Sequence, residues 1–360
     1  MKNDFILVKE QLKHAITWGK YPPAAKLPTE DELMAYFQVS RYATRKALLQ
    51  LEQEQLIYRI QGSGIYVCDW QQRWQPNPTS NTIGLLCTHI ADYIFPQIIS
   101  QIDSIIAQKG YSLLVANTHN DPQKERLRLI NFLDSQVAGL IVEPSASAQL
   151  NPNLDIYQTI AESHIPLLFL NAHYPQLDFP SIENDDYHAE QELTNYLITM
   201  GHRQILGIFQ IDDRQGIARM NGFQDALQAA NIASDQLIMY NSHDVFANIA
   251  QQVKNLLIQN TPPTAIVCYN DELAMRIAAK LKTWGFQIPN DISLAGFDDY
   301  EAARYVSPSL TSLSYDSNTV GKQAGQAILR LLRGQTVTSI INHPQLKTRE
   351  SVQELKTSFR

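Results

Sequence analysis

A series of short apolar segments, beginning at Thr82, constrains the fold of this chain more than any other feature. The segments do not alternate polar and apolar residues, and helix-like stretches such as 97–109 and 187–200 lie between them. Strands that are apolar on both sides must be covered on both sides, so the pattern predicts parallel sheets packed between helices. Their number predicts two α/β subdomains. The segments are TIGLLC (82–87), SLLVA (112–116), GLIVE (139–143), PLLFLN (166–171), ILGIF (205–209), TAIVCY (264–269) and ISLAGF (292–297).

The first 70 residues follow a different pattern. An amphipathic helix is predicted over 3–19, followed by a stretch that three prolines interrupt. Thr29 and Glu32 have the spacing of a capping box and predict the start of a second helix, and Ser40 predicts the start of a third. Residues 56–67 then read as two short strands around a glycine-containing turn. Three helices and a hairpin in this order predict a small α+β winged helix-turn-helix domain.

The charge of the chain is unevenly distributed. The length of 360 residues fits two or three domains, and the net charge is −7. The first 75 residues carry ten Lys and Arg against eight Asp and Glu, which leaves 19 of the 29 basic and 28 of the 36 acidic residues for the remainder. This distribution favours a nucleic-acid-binding head on an acidic body that does not contact nucleic acid.

The sequence favours a cytoplasmic protein without a metal or cofactor. Lys9, Lys13 and Lys20 interrupt the N-terminal stretch, so we expect neither a signal peptide nor a membrane span. The three cysteines are widely separated and offer neither a disulfide framework nor a metal-binding pair. We find no nucleophile elbow, Walker loop or zinc-protease motif, so we do not expect an enzyme.

Arg41 and Arg45 lie four residues apart and share one face of the third predicted helix. The planar guanidinium suits guanine edges and phosphates, whereas an ordinary solvated helix can carry the same pair. If the helix enters a DNA groove, Ser40 and Thr44 can donate to phosphates, and Tyr42 can stack or bond to the backbone.

Residues 27–67, LPTEDELMAYFQVSRYATRKALLQLEQEQLIYRIQGSGIYV, closely resemble the N-terminal domain of the gluconate-repressor (GntR) family of bacterial transcription factors. The shared pattern is L-P-S/T-E, then V-S-R with a second arginine four residues on, then R-x-x-G-x-G-x-x-V. The resemblance implies that Arg41 and Arg45 face DNA. It also implies that the wing tip, Gln61, Gly62 and Ser63, approaches the adjacent DNA.

Residues 82–335 resemble the effector domain of the lactose/galactose-repressor (LacI) family, which is related to periplasmic sugar-binding proteins. The resemblance implies two Rossmann-like subdomains joined by three crossovers, with a ligand between them at the carboxyl ends of the strands. We expect a linker at 69–81 and subdomains of about 82–178 with 316–338 and about 179–315 with 339–360. The motifs are TIGLL (82–86), GLIVEPS (139–145), TMGHRQILGIF (199–209), GIARMNGF (216–223), PPTAIVCYNDELAM (262–275), ISLAGFDD (292–299) and SPSLTSL (307–313).

A sugar needs side chains that donate and accept hydrogen bonds, together with an aromatic surface. The resemblance implies this role for Arg219, for Asn270 and Asp298 at two strand ends, and for Tyr315 at a crossover. Glu143 ends a predicted strand and is our nominated acceptor on the first subdomain. The candidate ligand-binding residues are Tyr93, Phe95, Glu143, His173, Arg219, Asn270, Asp271, Asp298 and Tyr315.

Several of these residues also have simpler interpretations. Asp271 can cap the helix that begins at ELAM, and Asp299 and Cys268 fit structural and core roles. GHR (201–203) is typical of a helix C-cap. HAE (188–190) has no partner cysteines, so we interpret it as part of a surface helix.

A GntR-type head on a LacI-type body is a rare pairing, known from a repressor of sugar utilisation. SRYATRKA (40–47), IFQIDDRQGIARMNGF (208–223) and CYNDELA (268–274) resemble that regulator in particular. The resemblance implies a homodimeric repressor that binds palindromic double-stranded DNA and is released by a sugar, with L-arabinose as the expected inducer. The prolines of the linker argue against the hinge helix of LacI-type repressors.

The sequence also allows other functions. The same architecture could respond to another sugar, a sugar phosphate or a purine, or could use its ligand as a corepressor. A phosphate would need additional cationic residues in the cleft, and Arg219 is the one we can nominate. An aminotransferase body lacks support because no pyridoxal-lysine context is present. A transport binding protein is disfavoured by the DNA-reading head.

Overall fold

The chain forms two compact units in a computed structural model that describes residues 4–74, 77, 79–91, 94–233 and 236–355. The units are Met1–Gln75, here called the head, and Pro76–Arg360, here called the body. We describe each unit by itself. Among the described residues, no helix is long and apolar enough to cross a membrane.

The head is a winged helix-turn-helix domain, as predicted. Its elements are α1 (Asp4–Thr17), α2 (Glu30–Phe37), α3 (Arg41–Gln53), β1 (Ile57–Ile60) and β2 (Gly64–Val67). The capping box is present, because Thr29 accepts from the backbone N–H of Glu32 and Glu32 accepts from that of Thr29. β1 and β2 pair antiparallel, with Ile57 opposite Val67. These local signals therefore form the elements that the sequence predicted.

The start of the predicted linker is folded. Trp70–Arg73 forms a 3-10 turn, and the rings of Trp70 and Trp74 pack edge to face with centroids 5.2 Å apart. Both tryptophans are buried, at 4% and 2% exposure. The predicted boundary at residue 68 is therefore too early, because burial of two large aromatic side chains outweighs the polar composition around them.

The body is built from alternating strands and helices. In chain order they are β3 (Thr82–Cys87), α4 (Phe95–Ala107), β4 (Ser112–Asn117), α5 (Pro122–Asp134), β5 (Gly139–Val142), α6 (Leu154–Glu162), β6 (Leu167–Leu170), β7 (Ser181–Asn184), α7 (Asp186–Thr199), β8 (Ile205–Gln210), α8 (Arg214–Ala229), β9 (Leu237–Tyr240), α9 (Phe246–Leu257), β10 (Ala265–Cys268), α10 (Asp271–Thr283), β11 (Ser293–Asp298), β12 (Thr311–Ser314), α11 (Ser317–Leu331), β13 (Ile340–Asn342) and β14 (Leu346–Lys347).

Two six-stranded sheets divide the body into two lobes. The first sheet has the order β13-β7-β6-β5-β3-β4, and the second has the order β14-β12-β11-β10-β8-β9. All pairs are parallel except β12 with β14. The central strands are apolar and fully buried, as in β5 and β10, because helices cover both sides. This arrangement confirms the predicted α/β body with two Rossmann-like subdomains.

The chain crosses between the lobes after β7, after β12 and after β13. The sheet of the first lobe includes β7 and β13, so the predicted divisions at 178/179 and 338/339 are several residues too early. The crossover after β12 lies between Ser314, the last residue of that strand, and Ser317, the first residue of α11. The early boundaries arose because β7, SIEN, and β13, IIN, are short and were not recognised as strands.

Candidate functional site

The exposed face of α3 carries the two predicted DNA-reading arginines. Ser40 caps the helix by accepting from the backbone N–H of Ala43 at 3.3 Å. Side-chain exposure is 56% for Arg41 and 62% for Arg45, and Tyr42 is 75% exposed. The opposite face buries Ala43, Ala47, Leu48 and Leu51 in the head. The geometry therefore presents Arg41, Tyr42 and Arg45 to the surroundings.

Thr44 lies on the other side of this helix. It is completely buried, and its hydroxyl donates to the carbonyl oxygen of Ser40 at 3.3 Å. This placement contradicts the prediction that Thr44 donates to a phosphate. The reason is helical geometry, because residue 44 shares the inward face with residues 47, 48 and 51.

Carboxylates from the start of α2 hold both arginines. Arg41 donates to Asp31 at 2.6 Å and Arg45 to Glu30 at 2.7 Å. Arg59 of the wing donates to the other oxygen of Glu30 at 3.2 Å. The hydrogen bond from Arg45 is the main reason why the pKa of Glu30 is lowered. Exposed pairs of this kind are weak and screened by salt, so a phosphate or a guanine edge can replace the carboxylates.

The wing turn places Gln61, Gly62 and Ser63 on the surface. Gly62 has a φ of +75°, and the Ser63 N–H donates to the carbonyl of Ile60 at 3.0 Å. A side chain at residue 62 would be strained in this left-handed conformation. The turn therefore exposes its backbone at the tip, which suits close approach to another molecule.

A polar cavity of about 290 Å³ lies between the two lobes of the body, at the carboxyl ends of the parallel strands. Of the predicted ligand-binding residues, Phe95, Glu143, Arg219, Asn270 and Asp298 line it. This is the position at which open parallel sheets bind ligands.

Glu143 dominates the wall of the first lobe. One carboxylate oxygen accepts from the backbone N–H and the hydroxyl of Thr88, both at 2.7 Å. The other accepts from the amide of Asn171 at 2.8 Å, and Asn171 in turn accepts from the Tyr315 hydroxyl at 2.5 Å. Burial raises the pKa of Glu143 to about 7. Near neutral pH this carboxyl can therefore both accept and donate hydrogen bonds.

Arg219 dominates the wall of the second lobe. It is 2% exposed and donates to Asp186 at 2.8 Å and to the carbonyl oxygen of Tyr269 at 2.6 Å. Another guanidinium nitrogen lies 3.7 Å from Asp298, and the ring of Phe297 lies under the guanidinium at 3.5 Å. Burial lowers the pKa of Arg219, but the two carboxylates raise it by more, so the side chain stays charged.

Glycines on both sides of Arg219 bring α8 close to its neighbours. A Cβ atom at Gly216 would lie 1.9 Å from the carbonyl oxygen of Gln210, and one at Gly222 would lie 2.2 Å from that of Tyr187. Larger residues would push α8 away from β8 and α7. The two glycines therefore position Arg219 in the cavity wall.

Asp213 connects α8 to Tyr269, which directly follows β10. It caps α8 by accepting from the backbone N–H of Gly216 at 2.6 Å, and it accepts from the Tyr269 hydroxyl at 2.7 Å. Burial raises the pKa of Asp213 to about 6. Asp213 and Tyr269 both line the cavity.

Three of the predicted ligand-binding residues that the structure describes lie outside the cavity wall. Asp271 is fully buried and accepts from the Ser312 hydroxyl and from the backbone N–H of Tyr300. It does not cap α10 as its alternative interpretation had it, because Asn270 is the capping residue. His173 points to Glu183, at 2.6 Å. Tyr315 acts through Asn171 and does not line the cavity. These placements contradict a direct contact for Asp271, His173 and Tyr315, and Tyr93 lies outside the described residues.

Sequence reasoning missed several residues of the cavity wall. Asn171 directly follows β6, and the rule that polar residues at strand ends line such a cleft would have selected it in place of His173. The same rule also applies to four other lining residues at strand ends: Thr88, Gln210, Tyr240 and Tyr269. The rest come from loops and helices with no distinctive pattern. The additional lining residues include Thr88, His89, Asn120, Ser147, Asn171, Gln210, Asp213, Gln215, Tyr240, Ser242, Asp244, Phe246, Tyr269, Glu272 and Arg276.

Direct hydrogen bonds join the lobes beside the cavity. The amide of Asn120 on the first lobe donates to Asp212 at 3.2 Å and to the Ser242 hydroxyl at 3.1 Å on the second. Ser147 accepts from the backbone N–H of Arg214 at 3.0 Å. We call Asn120, Ser147, Asp212 and Ser242 the clasp. It holds the lobes together at the edge of the cavity.

Glu190 lies behind the cavity and corrects our interpretation of HAE as a surface helix. Its side chain is fully buried on the face of α7 that packs against α8. Within the described structure, one of its carboxylate oxygens has no hydrogen-bond partner. Burial raises the pKa of Glu190 to about 8, although Arg219 opposes the shift. The carboxyl is therefore mostly protonated at neutral pH.

Across the described residues, no group of three acidic, histidine or cysteine side chains could hold a metal ion.

Replacing Glu190 with glutamine is expected to flatten the pH dependence of stability. A carboxyl whose folded pKa is raised from 4.5 to about 8 stabilises the protein fully below pH 4.5 and loses that contribution as the pH rises to about 8. Between pH 6.5 and 8, wild type should therefore lose about 2 kcal/mol more of its free energy of unfolding than Glu190→Gln. Urea denaturation of both proteins at each pH measures this. If the free energies of unfolding of the two proteins change with pH in parallel, the carboxyl of Glu190 does not have the raised pKa that its burial implies.

Comparison with known proteins identifies both units. The model of the bacterial gntR family of regulatory proteins matches residues 7–67, and the model of the periplasmic binding protein-like domain matches residues 194–352. A crystal structure of a LacI family transcriptional regulator from Silicibacter pomeroyi has a TM-score of 0.67 at 23% identity. The match covers 76% of this chain and 100% of the chain from Silicibacter pomeroyi.

Two curated relatives match nearly the whole chain. The arabinose metabolism transcriptional repressor of Geobacillus stearothermophilus is 36% identical over 98% of both chains. That of Halalkalibacterium halodurans is 31% identical over 99% of this chain and 98% of its own. Both names describe regulators of transcription. The chain therefore belongs to the family of arabinose metabolism transcriptional repressors, with a DNA-binding head of the gntR family and a body of the periplasmic binding protein-like fold.

Proposed function

We propose that this repressor binds palindromic operator DNA as a homodimer in the cytoplasm and is released by a neutral sugar, with L-arabinose as the inducer. The observation that carries the proposal is the polar cavity between the lobes, in which Glu143 faces Arg219 and Asp298 from the opposite side. The names of the two relatives support arabinose as the sugar.

The charge of the cavity favours a neutral ligand over a sugar phosphate. Two arginines line it, Arg219 and Arg276, and Arg219 is already paired with Asp186. Acidic side chains are more numerous in the same wall: Glu143, Asp213, Asp244, Glu272 and Asp298. Because like charges repel strongly in a desolvated site, a phosphate would meet net repulsion. Carboxyl, amide and guanidinium groups suit sugar hydroxyls.

The clasp suggests how the sugar acts on the body. A sugar that bonds to Glu143 on one lobe and to Arg219 on the other adds attraction between lobes that the clasp already joins. The sugar therefore shifts the equilibrium towards the closed state of the body. The size of the shift equals the difference between the free energies with which the sugar binds the closed and the open states. In a homodimer with two-fold symmetry, this shift would change the separation or orientation of the two heads and weaken their grip on two half-sites.

A thermal-shift panel tests the ligand. Purified protein is heated with L-arabinose, D-xylose, D-glucose, ribose 5-phosphate and adenine. A specific ligand at about a hundred times its Kd should stabilise the protein by about 2.7 kcal/mol. We expect the largest shift with L-arabinose. A larger shift with the phosphate or the purine, and none with L-arabinose, would overturn the proposed inducer.

A mobility-shift titration with the same ligands and operator DNA tests the sign of the effect. Release of DNA by L-arabinose supports induction. Tighter binding would make the sugar a corepressor, the alternative that the sequence also allows.

A further inference from the structure

We propose that the sugar cavity continues into an outer subsite that takes the second unit of a disaccharide. The subsite is the outer rim, which we define as Phe246, Glu272 and Arg276 on the second lobe. The proposal rests on the proposed function, because it assumes that the inner part of the cavity binds a neutral sugar.

The inner and outer parts of the cavity differ in burial. Glu143, Asn171, Arg219 and Asp298 of the inner wall are all more than nine-tenths buried. On the rim, the side chains of Glu272 and Arg276 are 48% and 50% exposed. A ligand seated on the inner wall would thus have solvent-accessible polar groups on its outer side. The end of the cavity that Glu272 and Arg276 line is therefore the part most open to solvent.

The rim carries the chemistry that a sugar unit needs. The guanidinium of Arg276 lies over the ring of Phe246, 4.0 Å from its centroid, which restrains the long side chain. One of its nitrogens is 3.6 Å from the carboxylate of Glu272, beyond the usual range of a hydrogen bond. Both groups therefore keep hydrogen-bonding capacity for a ligand. One side chain donates and the other accepts, so adjacent hydroxyls of a sugar ring can bond to both.

The size of the cavity also exceeds one pentose. At roughly 30 Å³ for each water in the liquid, its volume of about 290 Å³ has room for about ten waters. A pentose contains ten carbon and oxygen atoms. Covalently bonded atoms lie much closer together than hydrogen-bonded waters, so one pentose leaves space unfilled. The rim residues line this same volume, so the space that one pentose leaves is available to a second unit beside them.

The charge of the rim specifies a neutral second unit. Glu272 offsets Arg276, and the exposed Asp244 adds a further negative charge in the same wall. A phosphate attached to the sugar would meet one arginine beside two carboxylates. An uncharged pentose would meet a donor and an acceptor without a net charge.

Calorimetric titration of the full chain tests the proposal with two probes, L-arabinose and a disaccharide of two L-arabinose units. We expect both to bind. In Arg276→Ala, the affinity for the disaccharide should fall about tenfold relative to the affinity for L-arabinose. Lys280→Ala is the matched control, because Lys280 is an exposed cation on the same helix that does not line the cavity. It should leave the ratio of the two affinities unchanged.

Three results would overturn the proposal. If L-arabinose binds and the disaccharide does not, the outer subsite is wrong and the proposed function stands. If Arg276→Ala weakens both probes equally, Arg276 serves the inner site only. If neither probe binds and ribose 5-phosphate binds in a manner that depends on Arg276, both the subsite and the proposed inducer are wrong.

Discussion

An Arg219→Ala variant is expected to lose sugar binding and to unfold more easily, while its head still binds operator DNA. The arginine is the buried partner of Asp186 and lies beside Asp298, both nearly inaccessible to solvent. Removing it leaves carboxylates in the interior without a counter-charge. Loss of one partner from a buried pair lowers the free energy of unfolding by about 3–5 kcal/mol. Calorimetry with L-arabinose, urea denaturation and a mobility shift with operator DNA measure the three effects.

The double variant Arg219→Ala with Asp186→Asn separates stability from binding. Burial already raises the pKa of Asp186 to about 6, and an amide at this position removes the charge that the single variant would strand. The double variant should be more stable than Arg219→Ala and should still fail to bind the sugar, because Asp186 does not line the cavity. Recovery of sugar binding in the double variant would show that Arg219 only supports the fold. If the sugar still releases the Arg219→Ala variant from DNA, Arg219 has no role in the response to the sugar.

The fold was predictable where the sequence carries strong local signals. The apolar segments at 82–87, 139–143 and 264–269 became central strands that are covered on both sides. β7, SIEN, and β12, TSLS, were missed because a short strand next to a crossover needs little hydrophobicity of its own. Pairing with a neighbouring strand, which the sequence does not display, stabilises them. The lobe boundary predicted at 178/179 was displaced because β7 was missed.

The cavity was predictable in part, because its residues come from two kinds of position. Glu143 and Asp298 stand at the ends of recognisable strands, where geometry alone directs them to the cleft. Asn120 and Arg276 reach it from a loop and a helix, and only the packed lobes bring them there. Tyr315 was assigned to the ligand, but its hydroxyl orients Asn171 instead. Glu190 could not be distinguished from a surface glutamate, because its burial follows from how closely α7 and α8 pack.

Arg45→Ala is expected to weaken operator binding by about tenfold to a hundredfold and to relax the preference for one base pair. Arg45 is exposed on the face of α3 opposite the packed residues, and a single, partly buried carboxylate, that of Glu30, holds it. Binding to DNA exchanges this weak pair for a planar contact with a base edge. The head should keep its stability, because Arg59 remains as the partner of Glu30 when Arg45 is removed. Fluorescence anisotropy with the operator, and with an operator changed at each position in turn, measures both effects.

The control for this variant is Arg333→Ala, which removes the same charge from an exposed position in the body. If Arg45→Ala loses affinity for DNA only because a positive charge that attracts phosphates is removed, both variants weaken binding to every sequence. The salt dependence of binding then decreases in both. If Arg45 reads a base, Arg333→Ala has no effect, and Arg45→Ala weakens the operator far more than unrelated DNA. Equal affinity of Arg45→Ala and wild type for the operator would show that α3 is not the reading helix.

Glu30, the partner that Arg45 gives up when it binds DNA, also pairs with the wing. Because Glu30 binds Arg45 and Arg59 at once, α3 and the wing meet at this carboxylate, and DNA that binds Arg45 must displace it from this shared acidic group.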